Sequence, residues 1–345
     1  MTTGQLELTD ASDRPAGLPA GYLARPAALA DAPAVTAMLN LSSQALLGED
    51  FLTVEELEGD WRAPGFDLLA DTRVVLAPDG AVAGYANLWD EAPHVLLERW
   101  GRVHPGHLGL GLGSYLIGWS EGRARQSLRL APAGARVVLH DELINRLDIR
   151  AQGLLSQLGY AHARTSWRML IDLDADTPPA SPAWPAGTRV RSFVPDQDDR
   201  AALQVIRSAF RGSWGYVEMP FEENLARFTH HQRTDPLFDP SLWFLAVAGD
   251  EVIATAFSRM SIADTPEMAW IFSVGVLPAW RRRGLAGALL QHCFGQLWQR
   301  GRRQVGLGVD ADNATNAVHL YQAAGMRPDP RHTYLIWEKM LRPGG

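Results

Sequence analysis

The chain has 345 residues, of which 46% are hydrophobic and 21% charged, with a net charge of −7 and one cysteine, Cys293. That length exceeds one ordinary core and suits two domains. The composition excludes a disordered chain, a single thiol excludes an internal disulfide or a thiolate metal cluster, and the acidic balance speaks against a nucleic-acid partner.

Residues 1–20 read as a flexible N-terminus. They show no basic segment followed by an apolar stretch, as a signal peptide would. No apolar run reaches the roughly 20 residues that span a bilayer. The expectation is a cytoplasmic protein without a membrane partner, monomeric or homodimeric. Lys339 is the only lysine, a skew toward arginine that fits a GC-rich genome.

The pattern then predicts, in order, a strand at 22–26, helices from about 31 and at 53–61, and strands at 73–77, 82–88 and 94–103. A glycine-rich loop opens a helix over 112–124. A strand at 136–140, a helix at 148–158 and a strand at 166–172 follow. Residues 174–187 (DADTPPASPAWPAG) have no helix or strand period and read as a linker. The same order then repeats: strand 188–193, helices 198–210 and 221–229, strands 242–248, 252–258 and 269–276, helix 284–300, strand 304–309, helix 314–324 and strand 334–340. Leu285, Leu289, Cys293 and Leu297 share one helical face at spacings of four, and WFLAVA and WIFSVGV read as strands covered on both sides.

Landmarks of the two halves align by constant offsets. Pro278 and Gly284 lie 173 residues after Pro105 and Gly111; Gly325 and Arg191 lie 166 after Gly159 and Arg25. This is the signature of an internal duplication, with domains at 21–173 and 188–341.

In the second half, Val274-Gly275-Val276 runs through a proline into Arg281-Arg282-Arg283-Gly284-Leu285-Ala286-Gly287, where a helix begins. The first amides of a helix lack partners, and with the helix dipole they form a socket for phosphate. Gly284, Ala286 and Gly287 let a pyrophosphate approach the backbone, and the arginines add donors. The segment also reads as an arginine-rich helix start that simply packs. The context adds Asn313, Ala317, Leu320, Tyr321 and Gly325 in the pattern N-x-x-x-A-x-x-L-Y-x-x-x-G.

Together these motifs resemble the GNAT acyl-CoA N-acyltransferase superfamily over nearly all of residues 188–341. The first half resembles it more weakly, through VHPGHLGLGLGSYL and LLSQLGY. The pair resembles tandem two-domain GNAT proteins of the mycothiol synthase-like type. A Rossmann reading fits badly, since GLGLGS does not complete G-x-G-x-x-G.

The resemblance implies an α/β fold with a mixed sheet in each of two tandem domains, whose fourth and fifth strands splay. It places acetyl-CoA as co-substrate, with pantetheine along Val274, Gly275 and Val276 and pyrophosphate at 281–287. It implies that Asn313 holds the cofactor or the splayed strand; its plain reading is a helix N-cap, and the two are compatible. It makes Tyr321 the acid that protonates the departing thiolate; without it, Tyr321 is an aromatic on an apolar helix face. The backbone N–H of Val274 or Val276 would stabilise the oxyanion. Mycothiol synthase-like sequences carry a glutamate on the fourth strand, where this chain has Trp270, which argues against mycothiol synthase itself. Glu267, Asp264, Glu218, Glu222 and Asp310 are other candidate bases, each also readable as a surface acid. In the first half the offsets put Leu108, Leu147 and Leu155 where the arginine, asparagine and tyrosine belong. Gly109, Gly111 and Gly113 remain, so that half either still binds CoA or only shapes the cleft. Trp214, Tyr216 and Glu218 lie in the loop that roofs the acceptor site in this family. The expected function is acetyl transfer from acetyl-CoA to a small-molecule amine by direct attack, without a metal. A non-catalytic acyl-CoA-binding or regulatory module and an O-acyltransferase are the alternatives.

Overall fold

The computed structural model describes residues 17–143, 148–262, 264–312 and 317–345. The first half contains β1 (Leu23–Arg25), α1 (Ala32–Leu47), α2 (Val54–Trp61), α3 (Leu68–Asp71), β2 (Thr72–Leu76), β3 (Val82–Asp90), β4 (Leu96–Val103), α4 (Leu112–Ser127), β5 (Val137–Leu143), α5 (Ile149–Gln157) and β6 (Ala161–Asp172). The second contains β7 (Thr188–Ser192), α6 (Asp199–Phe210), α7 (Phe221–Thr234), β8 (Trp243–Ala248), β9 (Glu251–Arg259), β10 (Met268–Val276), α8 (Leu285–Gln299), β11 (Gln304–Asp310), α9 (Ala317–Ala323) and β12 (Arg327–Arg342). The predicted order is present throughout. The one-turn α3 is too short to show a period, and β12 starts at 327 instead of 334 because Pro328 and Pro330 hide its beginning.

Local chemistry sets several ends. Thr53 caps α2 reciprocally with Glu56: its hydroxyl accepts the Glu56 N–H at 3.2 Å, and the Glu56 carboxylate accepts the Thr53 N–H at 2.9 Å. α1 stops at Gly48, whose φ of 78° suits a residue without a Cβ.

The duplication is visible atom by atom. Arg25 grips Asp31 with two bonds of 2.6 and 2.7 Å, and Arg191 grips Asp198 with two of the same lengths. Gly159 and Gly325 take φ of 83° and 92° after α5 and α9. The Tyr160 N–H donates to the Leu155 carbonyl at 3.0 Å, as Met326 does to Tyr321 at 2.9 Å.

The twelve strands form one sheet in the order β1-β2-β3-β4-β5-β12-β6-β11-β10-β9-β8-β7. The mixed sheets expected in the two halves are therefore continuous with each other. β12 pairs with β5, β6 pairs with β11, and the two long strands pair with each other, all antiparallel. Lys339, on β12, donates to the Glu121 carboxylate at 2.6 Å and the Leu158 carbonyl at 2.7 Å, both in the first half. Leu335, on β12, belongs to the same buried cluster as Leu88, Leu97, Leu139 and Leu155. Each core is thus completed by a strand of the other half.

The fourth and fifth strands diverge as expected. β4 pairs with β5 in parallel only over Leu96–Arg99, and β10 with β11 only over Met268–Trp270. Beyond those residues β4 and β10 run on to Val103 and Val276 with that edge unpaired among the described residues. The 174–187 segment forms no helix or strand but is pinned: Trp298 Nε1 donates to the Asp174 carbonyl at 2.7 Å, and Trp184 packs edge-on against His292.

Cutting the chain at a protease site engineered into 174–187 should leave both fragments co-eluting at the size of the intact protein and unfolding in one transition. Separation of the fragments in native buffer would contradict the strand exchange.

Candidate active site

In the second half, the Leu277 N–H donates to the Ile253 carbonyl of β9 at 3.0 Å. Because alternate residues of a strand point their amides to opposite sides, Val274 and Val276 turn theirs to the unpaired edge. Gly275 sits where β10 meets α6; a Cβ there would lie 3.1 Å from the Ala209 Cβ. The chain then turns through Arg282, at φ 62°, and Gly284, at φ 86°, into α8. The first half makes the same turn with Gly109 at 79° and Gly111 at 84°. Arg282 thus holds a left-handed conformation where its counterpart is glycine, a cost of about 1–3 kcal/mol. Neither N-cap glycine offers a side-chain acceptor, so the first-turn amides of α8 and α4 stay open, as an anion site requires.

The arginines are placed unequally. Arg281 reaches back to the Ala209 carbonyl at 2.7 Å and the Val276 carbonyl at 3.3 Å, tying α6 to the cleft edge. Arg283 stacks on Trp280 at 4.7 Å. Leu285 is buried in the core, while Ala286 and Gly287 are half-buried at the helix start. Tyr321, on α9, packs against the same core as Val274, Val276 and Leu320. Burial pushes its phenol up to about 12, so it holds its proton at neutral pH. Asn313 and Leu147 lie outside the described residues. Cys293 is buried, and burial lifts its thiol to about 12, which agrees with a core role.

Most candidate bases are committed elsewhere. Glu267 faces Arg302 at 3.3 Å, Glu222 receives two bonds from Arg200, and Glu218 is held by Arg207, Arg211 and Tyr216. Asp264 is bonded to the buried Arg168. Glu49, Asp264 and His332 bring three donor atoms within 4.8 Å of one another. His332, however, is already held between Asp329 at 2.7 Å and Glu49 at 2.9 Å, so the group reads as an ion-pair network joining the halves. Trp270 lies flat across β11: a Cβ on Gly306 would come within 2.7 Å of its ring. Arg168 covers that ring at 5.3 Å.

A cleft of about 1010 Å³ opens between the splayed β4 and β5, lined by Gly101, Arg102, Val103, Gly109, Gly111 and Gly113 among others. Leu108 lines it, and Leu155 forms part of its floor from the core. Burial lowers Arg102 to about 10, and its guanidinium stacks on Trp100 at 5.1 Å. On the other side of β4 lies a second cavity, of about 440 Å³, between the halves. Trp214 reaches it from the α6–α7 loop and stacks on His140 at 5.1 Å with the rings 2° from parallel. Through Trp214 that loop reaches across to the first half, while its Glu218 stays bonded to Arg207 and Arg211 of its own. Asp310 lines the same cavity, 3.9 Å from Arg164.

A duplicated sheet that splays beside an uncapped helix start is the architecture of a tandem acetyltransferase. The sequence profile described as "Acetyltransferase (GNAT) family" matches residues 204–326. A mycothiol acetyltransferase of Frankia casuarinae is 33% identical over 294 residues, covering 80% of this chain and 78% of its own. The solved GCN5-related N-acetyltransferase from Sphaerobacter thermophilus superposes with a TM-score of 0.76 at 38% identity, over 95% of this chain and 98% of that one. A tandem GNAT protein from the clavulanic acid biosynthesis pathway shares the fold, with a TM-score of 0.68 at 19% identity over 94% and 100% of the two chains. The chain belongs to the GNAT family of acetyltransferases. No helix among the described residues is long and apolar enough to cross a membrane.

Gly101, at the divergence of β4, is fixed by close approach: a Cβ would meet the Tyr85 carbonyl oxygen at 2.7 Å and the Ala86 Cβ at 2.9 Å. Gly101→Ala should destabilise the fold by about 1–3 kcal/mol, read as a lower midpoint in urea. An unchanged midpoint would show that the strands there are not so tightly apposed.

Proposed function

We propose that the protein transfers the acetyl group of acetyl-CoA to the nitrogen of a small-molecule amine, and that its second half holds acetyl-CoA. The observation that carries this is the open edge of β10, with the amides of Val274 and Val276 free, ending at the uncapped start of α8. Pantetheine amides pair with such an edge as an added strand would. The pyrophosphate sits on the first-turn amides at 281–287, with Arg282 and Arg283 at hand, and Asn313 takes the role the family resemblance gives it, holding the cofactor or the splayed strand.

In this reading the amine nitrogen attacks the thioester carbonyl. The oxyanion takes a hydrogen bond from Val274 or Val276 N–H, and Tyr321 gives its proton to the departing sulfur. A phenol raised by burial donates only to a strong base, which a thiolate in the same dry cleft is. These groups suffice without a metal. The printed name of the curated relatives, mycothiol acetyltransferase, supports a small-molecule acceptor, and a cytoplasmic enzyme fits acetyl-CoA.

Tyr321→Phe should lower turnover at this site by about 10²–10⁴-fold with acetyl-CoA affinity nearly unchanged in calorimetry; equal turnover would remove Tyr321 as the acid. Gly284→Asp puts a carboxylate on the phosphate socket and should weaken acetyl-CoA binding there. A calorimetric titration indistinguishable from wild type would refute the placement.

A further inference from the structure

Matching the halves through strand pairing instead of sequence offset changes one correspondence. On β10 the pairing with β9 slips between Ile271 and Ser273, so one residue is extra there; β4 pairs with β3 without a slip. Before the slip, Trp270 faces Arg259 on β9 and Gly306 on β11; the residue of β4 that likewise faces Trp89 on β3 and His140 on β5 is Glu98. Two residues further along the fifth strands, Glu142 matches Gly308. In the second half this place is filled, because the Trp270 ring lies over Gly306 and Gly308 under the Arg168 guanidinium. In the first half it is hollow.

We propose that the cavity between the halves is a second acceptor site, where a small cationic amine binds Glu98 and Glu142 and takes an acetyl group from acetyl-CoA in the first-half cleft. The inference rests on acetyl-CoA use as read above, and goes beyond it in assigning a second centre and its acceptor.

Several observations carry it. Glu98 and Glu142 have no hydrogen bond or ion pair among the described residues, although both line the cavity. They are open to water inside it, yet protein surrounds them. Burial raises both, with Glu91 adding for Glu98; for Glu142 the Glu98 charge adds and the Arg102 guanidinium subtracts, which leaves it at about 7. A pair of unpaired carboxylates in such a setting attracts a cation and accepts its proton. Arg99 is held by Asp141, Arg164 by Asp310 and His140 by Glu338; Arg102, on the same face of β4 as Glu98, stacks on Trp100 at 5.1 Å and offsets part of the negative charge of Glu142 without an ion pair to it. Trp89, Trp100 and Trp214 supply apolar walls. Finally, Arg99 borders both the cavity and the cleft, so β4 separates acceptor from donor by the thickness of one strand.

The step balances. The ammonium gives one proton to the Glu98–Glu142 pair, which passes it to water. The freed amine nitrogen bonds to the acetyl carbon, the carbon–sulfur bond breaks, the nitrogen loses a second proton, and the sulfur leaves as the thiol of CoA after gaining one. Gly101 and Val103, the counterparts of Val274 and Val276, offer amides to the oxyanion. Leu155 at the Tyr321 position leaves protonation of the sulfur to water.

The test uses the intact protein with acetyl-CoA and tyramine, agmatine and spermidine as probes, with mass detection of acetylated product. Glu98→Gln, Glu142→Gln and the double variant keep the shapes and remove the charge. The double variant is expected to lose about 10²–10⁴-fold in kcat, to lose the limb of the kcat/KM profile near neutral pH, and to retain wild-type acetyl-CoA affinity. It should also melt no lower than wild type at pH 8, since two repelling carboxylates are gone; a structural role would show as a fall. Tyr321→Phe in the same assay reports the other centre. Acetylation of all three amines that the double variant leaves at wild-type rate overturns the second site. Acetyl-CoA binding with none of the three amines acetylated overturns it equally. Absence of acetyl-CoA binding in calorimetry overturns instead the acyl-CoA reading on which it rests.

Discussion

Everything in this molecule hangs on the antiparallel pairing of β6 with β12 at the centre of the sheet. Those two strands are equivalent by descent, and each sits against the fifth strand of the opposite half. The exchange fuses two sheets that would otherwise each end in an exposed edge, and edges are what sheet proteins must protect. It also fixes the relative position of the halves to within a hydrogen-bond register. The cavity between them is consequently built, and not left over: its floor is β4, β5, β6, β11 and β12, and its roof comes from the α6–α7 loop.

Much of this was legible in the residues. Element order followed from periodicity, and the offsets of 166 and 173 found a duplication that the Arg25–Asp31 and Arg191–Asp198 pairs repeat in atomic detail. The glycine turns at Gly111 and Gly284 announced themselves because a positive φ needs glycine. The strand exchange was not legible. β6 and β12 have the same pattern, so nothing local says which fifth strand each will choose; that choice is made by contacts such as Lys339 with Glu121. Nor was Glu98, because a one-residue bulge in β10 shifts the alignment and hides its match to Trp270. Bulges leave no composition signal when no glycine marks them. Trp214 was marked as an acceptor-side residue, but which half it serves depends on the exchange.

The halves have diverged in opposite senses. The second keeps the arginines and Tyr321 but fills the space above β11 with Trp270. The first has lost those donors to leucine yet keeps the wide cleft, Gly109, Gly111 and Gly113, and an open space lined by acids. Neither is simply the worn copy of the other. Duplication lets each half drop a feature while its twin retains it, and the shared sheet keeps both in one rigid frame.

The exchange has a bearing on how the chain is made. A domain normally folds as it leaves the ribosome, N-terminal half first. Here the first half cannot complete its sheet until β12 arrives, about 170 residues after β6, which at roughly 5–20 residues per second is on the order of ten seconds or more. Through that interval β5 presents a bare edge and the cluster around Leu139 and Leu143 lacks Leu335. Slow codons or a stalled ribosome before residue 327 would lengthen the exposure of an unfinished sheet, so this protein's yield in a cell should depend on the pace of synthesis of its last strand more than on that of its first.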